Sequence, residues 1–502
     1  MAFAPQVYNG ITWDEVDMSI YDKNDGVMPE PPAAPLDGSI FINLAHLKDE
    51  KRCADTITRI FSKAKDPKRV FIGLVEHNEN TKMINCLATF CINAGAGTDV
   101  KNHPAVCPHY DQIQTLSVFA KGAKGPTVSR ALGRKLLGNQ EFCMQIDSHS
   151  SFIPNWDEVA IQEWALINNE YAVLSNRPAD SAEMAEYGPG GSKEKVVNRF
   201  CNVELNSARL PMFSAPTQAR NLNKPLIMKG WSAAFSLAKC HLEESTPYDF
   251  FLPQIFQGEE FPRFARMWTR GYDVYTPTRN IVFHDYTPTD VKWPDSGIQR
   301  KWAQERIRTL LQMPTPNFEV TERMYSNLNL YGLGERRSLT DFMSFVGYDL
   351  KSKVAISSAP CSNPKWYSYD KSISALQNKY TVVDNEIDPL PIMPLRSKPV
   401  LLQPNGRLKT AKPHGIGHPH EIIEHLRVPK TIAEEAQYAQ EAFVKVEHQL
   451  AESAEGAPTP VKFLVLIWLI GISAWVIIFA RRKRGVASGR TRRKMMNGSK
   501  NH

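Results

Sequence analysis

Three residues with the chemistry of a divalent-cation site stand at the ends of two apolar runs. Asp147 and His149 close Cys143-Met144-Gln145-Ile146-Asp147-Ser148-His149, and His284 closes Asn280-Ile281-Val282-Phe283-His284. A carboxylate offers a hard oxygen and an imidazole a borderline nitrogen, so the set suits Mn2+ or Mg2+, with water and phosphate oxygens completing the shell. Alone, an Asp-x-His is more often a turn than a ligand pair; the third residue tips the balance. Two adjacent acids, Glu259 and Glu260, lie between Phe256 and Phe261. Those flanking aromatics favour burial, and a buried acid needs a partner, either a cation or hydroxyl groups. Arg130 and Arg134 are spaced i, i+4, which puts both on one helix face as a fork of donors suited to a diphosphate. Solvated surface charge explains them equally well.

The elements that must position these residues follow from periodicity. Ile40 to Ala45 and Val70 to Val75 are unbroken apolar runs of strand length. Between them Cys53, Ile57, Ile60, Phe61 and Ala64 recur at helical spacing over Asp49 to Lys65. Strand, helix and strand make the unit of a parallel sheet with helices on its faces. Phe142 to Ile146 is a further buried strand, and such sheets take ligands beyond the carboxyl ends of their strands. The spacing also predicts helices over Ser129 to Leu137 and from Trp156 to Ile167, a strand from Tyr171 to Leu174, and a loop at Gly188-Pro189-Gly190-Gly191 that is either a lid or a plain connection.

With 502 residues, 42% of them hydrophobic, the chain can fill a real core. The formal charge of +7 resides in the tail: nine Lys/Arg and no acid lie between Arg481 and His502, which leaves the rest slightly acidic. No compositional support remains for nucleic acid as a partner. The eight cysteines form no Cys-x-x-Cys pair. Reduced thiols suit a cytosolic domain, and the even count leaves disulfides open. Cys86, Cys91, His103, Cys107 and His109 fall close together, but buried thiols and surface histidines outweigh a zinc site there. Phe463 to Ala480 is 18 residues without a charge, close to bilayer thickness at the helical rise, and Lys462 and Arg481-Arg482-Lys483-Arg484 bracket it. One C-terminal helix is therefore expected to enter a membrane, of the ER or Golgi. The basic cluster favours a luminal domain; Met1 to Pro35 lacks the pattern of a signal peptide, and that weighs more, so the large domain is expected in the cytosol with the lumen as alternative.

In the same order along the chain, Phe41 to Asn78, Gly125-Pro126 with Arg130, Gln145 to His149, Trp156-Asp157, Gly258-Glu259-Glu260, Trp268 to Pro277, His284 and Asn329 to Arg337 resemble the polypeptide α-N-acetylglucosaminyltransferases of protists. The resemblance covers roughly residues 38–350. It implies a GT-A nucleotide-diphospho-sugar transferase fold, an α/β Rossmann-like mixed sheet with helices on both faces. It also implies a UDP-GlcNAc donor, a divalent metal, transfer with retention, and a protein acceptor offering hydroxyproline, Ser or Thr. Asp147 would then touch the ribose or metal, His149 and His284 would bind metal, and Glu259 with Glu260 would be the acids at the sugar. Arg130, Arg134 and Lys48 would serve the donor. Two departures bear on specificity: Leu47-Lys48-Asp49 stands where the family has Tyr-Arg-Asp, and Ser150-Ser151-Phe152 where an Arg is usual. The expected organisation is a flexible segment at 1–37, the transferase domain at 38–350, a proline-rich linker or arm at 351–420, a helical stalk at 421–460, the membrane helix at 461–480 and a basic tail at 481–502. A sugar-binding scaffold that kept the fold without turnover is the alternative, disfavoured because a scaffold has no need of the metal set.

Overall fold

The computed structural model describes residues 4–18, 34–78, 85–289, 293–314, 327–356 and 366–369, with the backbone of two short strands, Val400–Leu402 and Leu408–Thr410. Its core is an eight-stranded mixed sheet. In spatial order the strands are Leu226–Ile227, Asp273–Thr276, Ala172–Ser175, Phe235–Lys239, Phe142–Asp147, Ile40–Leu47, Val70–Asn78 and Ile113–Phe119. The last four run parallel, with Ala45 opposite Asp147 and Leu47 opposite His77. These are the runs that read as nearly continuous apolar sequence, as strands covered on both faces must. Phe235–Lys239 inserts antiparallel between Phe142–Asp147 and Ala172–Ser175.

The expected first helix forms over Glu50–Lys63 and buries Cys53, Ile57, Ile60 and Phe61 against the sheet. Ile57, Ile60 and Phe61 each contribute about 1.5–3 kcal/mol when fully buried. Asp157, at the start of the helix Trp156–Ala165, accepts from the Lys65 and Asp66 amides at 2.6 and 3.0 Å and from Arg69 Nε at 2.8 Å. It thereby fixes the exit of that first helix.

Three expectations need correction. The N-terminal segment is not wholly loose: Gln6–Tyr8 and Trp13–Glu15 pair with each other, and Gln6–Tyr8 pairs with Thr217–Arg220. The expected arm also packs in part, for Tyr369 is buried with its hydroxyl donating to Gly271 O at 3.0 Å, and Trp366 Nε1 donates to Asp273 Oδ2 at 2.9 Å. Among the described residues the cysteines are not reduced: Cys53 bonds Cys86, Cys91 bonds Cys107, Cys143 bonds Cys240, and Cys201 is likewise in a disulfide. Thiols spent in this way leave no zinc site at Cys86, Cys91 and Cys107. Among the described residues no helix is long and apolar enough to cross a membrane. The expected stalk, membrane helix and basic tail lie outside the described residues.

Candidate active site

The turn after Phe142–Asp147 is tied to the first helix. Ser150 Oγ donates to Asp147 O at 2.8 Å, and the Ser150 amide donates to Thr56 Oγ1 at 3.0 Å. Ser150–Phe152 then pairs antiparallel with Val282–His284, setting Ser150 opposite His284. That register brings His149 and His284 together, their ring centroids 4.5 Å apart and nearly perpendicular. Asp147, His149 and His284 each offer one donor atom, and these atoms lie within 4.8 Å of one another. His284 Nε2 donates to Asp147 Oδ2 at 3.2 Å, while its Nδ1 is buried with no hydrogen-bond partner. Burial alone would raise the Asp147 pKa; the hydrogen bond from His284 and the charge of Arg130 overcome it and hold the carboxyl well below its usual range. Burial also lowers the pKa of His149, so its imidazole is neutral and free to donate a lone pair.

Arg130 lies on the helix Pro126–Gly133 and is 4% exposed. Its Nη2 donates to Asp147 Oδ1 at 2.9 Å and its Nη1 to Glu259 Oε1 at 2.5 Å. Thr127 Oγ1 donates to the other Glu259 oxygen at 2.6 Å. Gly258, at φ +93°, reverses the chain just before this acid in a conformation that side chains resist. Glu259 and Glu260 therefore part company. Glu260 opens the helix Glu260–Thr269, accepts from the Ala233 amide at 2.9 Å, and is pushed by burial up to about 7. A helix N-terminus favours acids in any case, so the pair needs no cation to explain its place.

Arg134 does not join Arg130. The helix ends at Gly133 and Arg134 opens a 3-10 turn. There it lines a cavity of about 10 Å3 with Asn43, Gln145, Glu243 and Arg263. Lys48 follows Ile40–Leu47 in a left-handed conformation, φ 51°, at the same sheet end as Asp147. Beside it Asp49 accepts from Arg52 Nε at 2.5 Å, and Arg52 Nη1 reaches Asp285 Oδ2 at 3.3 Å. Tyr286 lays its ring 4.2 Å from His284 and carries Arg177 on its own face at 4.8 Å. Sequence reasoning missed Thr127, Arg52, Asp285, Tyr286 and Arg177. Asp285 and Tyr286 had a signal, since they directly follow His284; Thr127 had none.

Residues 39–352 match the family model described as glycosyltransferase (GlcNAc). The chain belongs to this glycosyltransferase family. Among solved structures, GalNAc-T7 with UDP, GalNAc and Mn2+ is 12% identical to the glycosyltransferase, with a TM-score of 0.42 over 64% of this chain and 58% of that one. S. aureus TarS 1-349 with UDP-GlcNAc is 11% identical, TM-score 0.32, over 57% and 68%. The mannosyltransferase PcManGT of Pyrobaculum calidifontis with GDP-Man and Mn2+ is 8% identical, TM-score 0.31, over 58% and 66%. Likenesses this distant carry no residue roles, and the chain spans less than two thirds of GalNAc-T7. No curated protein matches this glycosyltransferase. Its candidate site is the end of the parallel strands where Asp147, His149 and His284 meet.

Proposed function

We propose that this glycosyltransferase has the GT-A fold and moves N-acetylglucosamine from UDP-GlcNAc to a hydroxyl of hydroxyproline, Ser or Thr in a protein acceptor, with retention, as the resemblance to the protist polypeptide α-N-acetylglucosaminyltransferases implies. The observation that carries it is the convergence of Asp147, His149 and His284 at the carboxyl end of the parallel strands, where sheets of this kind take ligands. The donor set fits a divalent ion: one ionised carboxylate, one neutral imidazole, and in His284 a buried nitrogen left without a partner. Bound there, Mn2+ or Mg2+ would supply the positive charge that stabilises the departing diphosphate. Arg130 holds Asp147 and Glu259 in fixed relation. Lys48 adds a cation at the same sheet end. With one oxygen pinned by the Ala233 amide, Glu260 would orient sugar hydroxyls; Glu259, engaged at both oxygens, would position its neighbours.

The test is release of UDP from UDP-GlcNAc by the purified chain. Turnover with Mn2+ that falls in EDTA is expected. Undiminished turnover in EDTA, in protein free of metal by elemental analysis, rules out the metal-dependent reading.

The disulfides bear on the compartment. Such bonds persist in oxidising surroundings and are rare in the cytosol, so they favour the luminal alternative, with residues 461–480 as the anchor and secretory-route proteins as acceptors. Protease protection of the domain in intact microsomes is expected; digestion before detergent is added would return it to the cytosol.

A further inference from the structure

We propose that Arg130 is a positioning residue that makes cation binding by Asp147, His149 and His284 conditional on a nucleoside diphosphate. The inference rests on the metal-dependent reading above and deepens it. Both oxygens of Asp147 are already engaged, Oδ1 by Arg130 Nη2 at 2.9 Å and Oδ2 by His284 Nε2 at 3.2 Å. The guanidinium is buried and anchored at its other nitrogen to Glu259, whose second oxygen is taken by Thr127. Swinging it aside would strand the buried Glu259 and leave the half-buried Asp147 without its cation, so its charge stays where it is. A dication arriving alone therefore meets a carboxylate with a fixed guanidinium 2.9 Å from its Oδ1, a cation that it shares with Glu259. Repulsion at such range is strong in a partly buried site. A diphosphate brings two or more negative charges to the same place and reverses the balance. By linkage the cation must tighten the diphosphate by the same factor. A lysine has no fork with which to reach Asp147 and Glu259 at once.

The experiment is calorimetric titration of the full chain with Mn2+, alone and with saturating UDP. Wild-type protein is expected to bind Mn2+ at least about tenfold more tightly with UDP, within the usual range of such coupling. Arg130→Met should bind Mn2+ about tenfold more tightly than wild type when nucleotide is absent, and the effect of UDP should shrink. A merely structural arginine predicts the opposite sign or no change. Because Arg130→Met exposes Glu259 to an unpaired state, the double variant Arg130→Met/Glu259→Gln removes the stranded charge; thermal melting shows that it is folded, and it should keep the gain because Arg130, not Glu259, touches Asp147. A folded variant that binds Mn2+ alone no more tightly than wild type overturns the inference while leaving the metal reading intact. Wild-type protein that takes up no Mn2+ even with UDP overturns both.

Discussion

His284 Nε2 stands 3.2 Å from Asp147 Oδ2 across 137 residues of chain. A carboxylate accepts only, so the proton of this bond resides on Nε2. His284 is held in a three-stranded sheet, Val282–His284 pairing with Ser150–Phe152 and Ala179–Asp180, and its geometry is set by backbone pairing instead of by a flexible loop. Replacing Asp147 or His284 by Ala should lower turnover by about 10²-fold or more, the scale of losing one electrostatic contributor to a transition state. Initial rates with UDP-GlcNAc and the metal content of the variants measure it. Either variant at wild-type turnover would make this strand end structural.

Glu260 gives a prediction about pH and stability. Its folded pKa is raised to about 7 by burial from an ordinary 4.5, so the folded state binds the extra proton. Stability from this group is complete below pH 4.5 and is lost as pH rises through 7. Glu260→Gln should therefore melt close to wild type at pH 4.5 and above it at pH 8, by a gap on the order of 1–3 kcal/mol. Calorimetry at both pH values reads it, and a gap that does not change with pH contradicts the assignment.

Asp157 has the opposite sign. Burial opposes its charge, but the Lys65 and Asp66 amides and Arg69 prevail and lower its pKa. Its contribution is present at neutral pH and is lost on acidification through the folded pKa. Asp157→Asn should cost about 3 kcal/mol at pH 7 and less in acid, because charged hydrogen bonds to a fully buried carboxylate are broken. Denaturant melts of both proteins at pH 7 and pH 4 decide the matter.

His46 carries a stability cost. It is buried, and neither ring nitrogen has a hydrogen-bond partner. Burial, then His77 and His149, lower its pKa to about 3. His46→Leu should raise stability by about 1–2 kcal/mol at neutral pH, removing an unpaired polar group, and the advantage should widen as pH falls below about 6.5, the ordinary value for histidine. A variant less stable than wild type at pH 7 would mean that the imidazole has a partner worth keeping.

The strands that build the site were legible because Ile40–Leu47, Val70–Asn78 and Phe142–Asp147 are buried on both faces, and burial writes itself as unbroken apolar sequence. Strand ends carrying Asp147 and His284 were legible for the same reason. Pairing was not. Gln6–Tyr8 is three residues long and finds its partner near residue 219, and no local pattern encodes that distance. Arg134 looked equivalent to Arg130 by spacing alone; the α-helix Pro126–Gly133 passes into a 3-10 turn at Arg134. For the acids, burial was foreseeable from Phe261 and the partner was not: Glu259 is satisfied by Arg130 and Thr127 from a helix more than a hundred residues earlier.

The antiparallel strand Phe235–Lys239 has a consequence for how the chain is made. Until it emerges, Phe142–Asp147 has a neighbour on one side only, and Cys143 must wait for a partner 97 residues downstream. A ribosome takes on the order of 5–20 s to cover that distance. Throughout that interval an apolar strand edge and an unpaired thiol are exposed side by side, in the strand that ends at Asp147. Newly made chains should accordingly be most vulnerable to mispairing in this window, and dependent on whatever shields strand edges and reshuffles disulfides where they fold.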